Sequence, residues 1–172
     1  MDNKQAHAGV TGTHTHNGMP KTYTSITPFI VVNNPGQAIE FYETTFGAVA
    51  KSVTEVGEGD RKMIIHADID FGTGYLQLGA VNPDYHLVSP PGEGNACYSL
   101  GIYVPDVDQT LAVAVANGAV VREPAADFVS GDRFCSILDP FGIRWSIMTR
   151  TQDISEEESF RRVAEWSSSL GQ

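Results

Sequence analysis

The stretch ITPFIVVNNPGQAIEFYETTFGA, Ile26 to Ala48, decides how the rest of the chain is read. Ile26 to Val32 is a short apolar run rich in β-formers and reads as a strand. Asn33 and Asn34 can cap a helix, and Pro35 suits a helix's first turn, where no N–H is needed. Ala38, Ile39, Tyr42 and Phe46 then fall on one helical face. Gly47 supplies the left-handed stop.

Outward from this strand and helix, Val49 to Val56 and Met63 to Asp70 read as strands split by Gly57-Glu58-Gly59. A turn at Gly72-Thr73-Gly74 leads into a third, Tyr75 to Gly79. After a Pro/Gly/Asn-rich connection over 82–95, the order repeats. Ala96 to Val104 reads as a strand. Asp106 caps a helix with the stripe Val107, Leu111, Ala114 and Val115, which ends at Gly118. Strands follow at Val120 to Arg122, Phe134 to Leu138 and Ile143 to Met148, with turns at Ser130-Gly131-Asp132 and Asp139-Pro140-Phe141-Gly142. Each unit's last strand follows an Asp-to-Gly turn, Asp70 to Gly74 and Asp139 to Gly142. The fold class is therefore α+β: two βαβββ modules, about 25–81 and about 96–150, within a domain spanning 23–150. Each helix covers one face of its sheet. Side by side, the modules form a curved mixed sheet whose open face encloses a cup.

Residues 1–22 are polar and rich in Gly, Thr and His, and are expected to be a disordered tail. His7, His14 and His16 there read as parts of a solvated arm. Residues 151–172 form a C-terminal helical extension. Ser155 and Glu158 make its capping box, Phe160, Val163, Ala164 and Ser167 its inner stripe, and Arg161 and Arg162 its wet side.

A net charge of -10 disfavours nucleic acid and anionic membranes as partners. No segment approaches the roughly 18 apolar residues of a membrane span. The N-terminus has no basic patch followed by an apolar run, and Cys97 and Cys135 read as buried thiols of a reducing compartment. The expected location is cytoplasmic.

The segments Thr27-Pro-Phe-Ile-Val-Val and Ala38-Ile-Glu-Phe-Tyr…Phe46-Gly-Ala resemble the opening of PhnB-like proteins in the vicinal oxygen chelate (glyoxalase/bleomycin resistance/dioxygenase) superfamily. His66-Ala67, Tyr103-Val-Pro-Asp-Val-Asp108, Gly131-Asp-Arg133, Asp139-Pro-Phe-Gly-Ile-Arg-Trp-Ser146 and Asp153-Ile-Ser-Glu-Glu-Glu…Arg161-Arg162 extend the resemblance over about 25–165. It implies paired βαβββ modules, often in a homodimer. Enzymes of the superfamily place in the cup a divalent metal that polarises a substrate's vicinal oxygens. Its resistance proteins bind a drug without a metal of their own.

Carried onto this chain, the four ligand positions fall on Thr27, Gln77, Ser99 and Ser146. One amide and three alcohols are poor ligands for a transition metal, which takes imidazole, thiolate or carboxylate. No metal and no cofactor is expected. Strand alternation adds Phe29, Tyr103, Arg144 and Met148 to the cup and turns Trp145 to the helix side. With Ile65, Ala67 and Ile69 toward the helix, His66 and Asp68 face the cup. Phe29, Tyr103 and Phe134 could stack on a ligand, and Arg133 could reach it from the rim.

The function expected is that of a PhnB-like protein binding a small, partly aromatic organic molecule in a cup without the usual metal ligands. The alternative is an enzyme of the same superfamily, of lyase, isomerase or dioxygenase type, using His66 as acid/base or an atypical metal site. A third class, an interaction module without ligand, requires a cup filled by its own side chains. A homodimer is what the resemblance implies.

Overall fold

Local chemistry starts and stops the helices where the sequence places those signals. Asn34 Oδ1 accepts the N–H of Gln37 at 3.3 Å, and Gly47 closes the helix at φ 67°. Asp106 Oδ1 accepts the N–H of Gln109 at 3.0 Å, and Ser155 Oγ that of Glu158 at 3.1 Å. These caps satisfy amide donors that a helix start leaves without partners.

The chain, seen in a computed structural model that describes residues 8–92 and 94–170, begins with two short strands, β1 (Thr15–His16) and β2 (Met19–Pro20). The first module is β3 (Phe29–Val32), α1 (Pro35–Phe46), β4 (Val49–Val56), β5 (Met63–Asp70) and β6 (Tyr75–Ala80). The second is β7 (Ser99–Tyr103), α2 (Val107–Ala116), β8 (Val120–Asp127), β9 (Asp132–Leu138) and β10 (Arg144–Arg150), followed by α3 (Glu156–Ser169). Among the described residues the modules form two four-stranded sheets of matching order, β3-β6-β5-β4 and β7-β10-β9-β8. In each, the first strand runs parallel to the last and the other pairs are antiparallel. Two βαβββ modules and a C-terminal helix are what the repeat predicts.

Several expectations differ in detail. Residues 15–20 form an antiparallel ladder, Thr15 opposite Pro20 and His16 opposite Met19, inside the stretch read as disordered; residues 1–7, His7 included, lie outside the described residues. β8 runs to Asp127 rather than Arg122. Its exposed, charge-bearing pattern hides it from periodicity, and two register shifts against β9 break its alternation. In α2, Val107 and Ala114 are buried but Val115 is exposed, because Val115 lies two turns past Val107 and has rotated off the inner face. In α3 the inner face is Ser159 with half-buried Arg162 and Val163, while Phe160 is exposed. The reason is what α3 packs on: Ser159 Oγ donates to the carbonyl of Ser130 at 2.9 Å, and Trp166 meets Phe128 edge-on at 5.0 Å. Cys135 is buried, but Cys97 is exposed.

The helix-side faces share one core. Tyr42 from α1 and Ile30, Ile69 and Leu78 from the first sheet join Ile137, Trp145 and Ile147 from the second. Each buried aliphatic side chain contributes about 1.5–3 kcal/mol. Asp139, only 3 % exposed, ties the modules together. Its Oδ2 accepts from Tyr42 Oη at 2.8 Å and Trp145 Nε1 at 3.0 Å, and its Oδ1 from the N–H of Ile143 at 2.8 Å and of Phe141 at 2.9 Å. Burial raises the Asp139 carboxyl above its ordinary value despite these four donors. Burial and the nearby Asp139 charge push the Tyr42 hydroxyl well up, so it remains a donor.

Candidate functional site

Alternation leaves a polar face on each sheet opposite the shared core. In the first sheet, Ala67, Ile69, Leu76 and Leu78 are buried against α1, which turns His66, Asp68 and Gln77 to the other side. Asp68 is the hub. Its Oδ2 accepts from Ser52 Oγ at 2.6 Å and its Oδ1 from Gln77 Nε2 at 2.9 Å, with His66 Nε2 3.4 Å from Oδ1. The Tyr23 side chain stands near it, its ring stacked on Tyr75 at 4.9 Å. Burial pushes the Asp68 carboxyl up, but the bonds from Ser52 and Gln77 and the neighbouring Tyr23 and His66 outweigh it and hold the group below its ordinary value. Phe29 lies across from His66, ring centroids 5.8 Å apart. Gly79 makes room for it: a Cβ there would stand 3.0 Å from the tip of the Phe29 ring and 2.4 Å from the carbonyl oxygen of Ile65.

On the second sheet, Ser99 and Ser146 are brought together, their hydroxyls 3.0 Å apart. Phe134 lies opposite Met148 in the β9–β10 pairing. Tyr103 is well exposed, its hydroxyl 3.4 Å from Asp132 Oδ1. Two arginines of β10 are held by carboxylates, Arg144 by Glu123 at 2.7 Å and Arg150 by Asp132 at 2.7 Å; Arg144 Nε also donates to Ser136.

The predicted residues thus fall into two groups. Phe29, His66 and Gln77 are together on the first face, with Thr27 half-buried just before β3. Ser99, Ser146, Tyr103 and Phe134 belong to the second sheet. Arg133 joins neither. It lies on the same face of β9 as Cys135 and is bound to Asp108 at 2.7 Å, on α2, and to Asp127 at 3.2 Å. The odd positions of β9 point to the helix, and that turns Arg133 away from Phe134. Between the modules lies a cavity of about 300 Å³, lined by Pro28, Phe71, Tyr75, Leu76, Ile102 and Trp145 among others; Tyr103 is its one predicted site residue.

Sequence reasoning missed several members. Asp68 is named by the alternation that names His66, but its role as hub is not visible. Ser52 is masked by the register shift between Ala50 and Ser52, which resets β4's facing. Tyr23 sits at the end of a segment without periodicity, and no sequence signal marks it.

The fold defines a protein of two paired βαβββ modules, each sheet with one polar face. A family model described as the Glyoxalase/Bleomycin resistance protein/Dioxygenase superfamily matches residues 22–147, and the chain belongs to that superfamily. An uncharacterized protein of Mycobacterium tuberculosis (strain ATCC 25618 / H37Rv) is 28% identical over 139 residues, 78% of this chain and 79% of that one. TioX from Micromonospora sp. ML1 shares the fold with TM-score 0.56 and 20% identity, covering 77% of this chain and 100% of that chain. A putative 3-demethylubiquinone-9 3-methyltransferase, PhnB protein, from Bacillus cereus matches with TM-score 0.55 and 18% identity over 73% of this chain and 99% of that chain.

At the four positions where the resemblance implies a divalent metal, the residues present do not fit one. Thr27, Gln77, Ser99 and Ser146 offer only neutral oxygen or nitrogen. Gln77 already donates to Asp68, and the two serines bond each other.

Proposed function

We propose that this protein is a PhnB-like member of the superfamily that binds a small, partly aromatic organic molecule in a cup formed by the open sheet faces, with no metal or cofactor held by Thr27, Gln77, Ser99 and Ser146. The observation that carries the reading is the donor set: the polar groups at the four positions are neutral, and those of Gln77, Ser99 and Ser146 engage protein neighbours. Phe29 on the first face and Tyr103 on the second, both exposed, offer ring surfaces, and Phe134 belongs to the second sheet with Tyr103. Exposed aromatic area next to a few placed polar groups is the usual make-up of a ligand site.

The reading includes a cytoplasmic homodimer. Among the described residues β3 and β7 each pair on one side only, leaving the first strand of each module as an edge. No described helix is long and apolar enough to cross a membrane. Equilibrium dialysis against a panel of planar antibiotics tests the binding, and light scattering tests the dimer. No binding across the panel, together with stoichiometric zinc, nickel or iron in protein purified without added metal, overturns the reading.

One observation favours a second reading, an enzyme of the superfamily working through His66: the imidazole stands 3.4 Å from a carboxylate that can orient it. Turnover of a found substrate that survives His66→Ala removes that version.

A further inference from the structure

We infer that the open face of the first sheet is a site for a planar aromatic compound carrying a weakly acidic hydroxyl, a phenol, with Phe29 against the ring and His66, oriented by Asp68, accepting the hydroxyl's proton. The inference rests on the small-molecule reading above and names the ligand class and the half of the cup that takes it.

The argument begins with tautomer and orientation. Asp68 Oδ1 lies 3.4 Å from His66 Nε2, so a neutral imidazole keeps its proton on Nε2, toward the carboxylate, and its lone pair on Nδ1. Asp68 is itself fixed by Ser52 at 2.6 Å and Gln77 at 2.9 Å. The chain is therefore one of hydroxyl and amide donors, carboxylate and imidazole, with a free basic nitrogen at its end. The imidazole is reachable, its side chain 36% exposed. The Phe29 ring packs against it, centroids 5.8 Å apart at a 35° tilt, and the two rings present adjoining aromatic surface on which a flat molecule can lie. Gly79 keeps the floor beneath Phe29 clear.

The groups around His66 leave few other partners for that proton. On its own strand the neighbour is Asp68; from β4, Thr54 stands opposite in the ladder; from β3 comes Phe29; from β6, Gln77 reaches Asp68. Tyr23 stands near Asp68, and Asp70, further along, pairs with Lys51 at 3.3 Å. The second face is differently committed, since its arginines are already bound by Glu123 and Asp132. In the proposed step the ligand O–H bond breaks and an N–H bond forms at Nδ1. The product is a phenolate beside an imidazolium, with the Asp68 carboxylate on the far side, and the proton returns on release.

The test is titration of the full chain with 4-nitrophenol, whose yellow phenolate reports its own protonation state. The expected result is that probe bound to the native protein is enriched in phenolate relative to free probe at the same pH. His66→Gln returns the bound fraction to the neutral form and weakens binding roughly tenfold. Asp68→Asn, a change at a positioning residue, lowers the phenolate fraction while binding persists. Phe29→Ala weakens affinity by about tenfold without altering the protonation state of what binds. Circular dichroism of each variant checks that it folds, and Phe29→Ala carries the test if His66→Gln does not. Probe bound only as neutral phenol, or a phenolate signal that survives His66→Gln, overturns this inference and leaves small-molecule binding standing. Failure to bind the phenol while a panel compound binds overturns the ligand class; failure of both overturns both readings.

Discussion

Asp70 and Asp139 occupy the same place in the repeat, each opening the turn before its module's last strand, yet they live in opposite environments. Asp70 is half-buried and works locally: its Oδ1 accepts the N–H of Gly72 at 2.7 Å and its Oδ2 meets Lys51 at 3.3 Å. Asp139 is buried and reaches into the other module through Tyr42. A turn residue that any Asp could serve has become, in one copy only, the fastener between copies. The lesson is that the repeat conserves backbone geometry, while the polar side chains on that frame are free to take unrelated jobs.

The largest expected effect breaks this comparison outright. Asp139→Ala removes the acceptor for three buried donors and one half-buried one at once, and each stranded buried donor costs about 1–3 kcal/mol. A loss on the order of 3–5 kcal/mol in urea denaturation is expected, enough to unfold a marginal domain. Asp70→Ala, measured alongside, should shift the midpoint far less. Equal losses would mean that the cross-module bonds are not what makes Asp139 matter.

A glycine pair sharpens the same contrast. In β6 a Cβ on Gly79 would come within 2.4 Å of the Ile65 carbonyl oxygen, a backbone atom that cannot swing aside. In β7 a Cβ on Gly101 would meet only the tip of Met148 at 3.5 Å. Gly79→Ala should therefore cost about 1–3 kcal/mol and displace Phe29. Gly101→Ala should be neutral or slightly stabilising, by up to about 1 kcal/mol, through reduced freedom of the unfolded chain. Thermal melts of the two variants decide it.

Much of this frame was legible because it depends on backbone rules. The caps at Asn34, Asp106 and Ser155 and the stop at Gly47 are local chemistry, and alternation in β5 puts His66 and Asp68 on the face away from Ala67 and Ile69. What was not legible depends on contacts between distant segments. Ser52 reaches Asp68 only because a bulge resets β4. Arg133 is bound on the helix side by Asp108 of α2, a partner 25 positions away that the motif Gly131-Asp132-Arg133 cannot announce. Phe160 looks like an inner-stripe residue until the small surface beneath α3, the carbonyl of Ser130, selects Ser159 instead.

The first face should also respond to acid. Asp68 has a folded-state value below its unfolded one, so the stability it contributes is fully present above pH 3.8 and is lost as pH falls through the lower folded value. Asp68→Asn should flatten the acid limb of stability below about pH 4 and cost about 1 kcal/mol at neutral pH, the scale of one charge-assisted bond. Unfolding followed from pH 6 down to pH 2 checks both parts. An acid limb unchanged in Asp68→Asn would remove the carboxylate from the centre of the first face.

The smallest effect belongs to the second face. Arg144 and Glu123 pair at 2.7 Å, but their side chains are 39% and 51% exposed. Water screens such a pair, and holding two long side chains in one geometry offsets most of the attraction, so Glu123→Ala should change stability by no more than about 0.5 kcal/mol. The change should be visible elsewhere. Without Glu123, Arg144 keeps only the Ser136 hydroxyl at 3.1 Å as its bonded neighbour and presents a free guanidinium beside Ser146. If the second face contributes to ligand binding, an anionic ligand should bind more tightly to Glu123→Ala than to the native chain, while a neutral one is unaffected. A stability loss well above the expected limit would show instead that the pair is part of the frame, and that the second face, like Asp139, is held together by its charges.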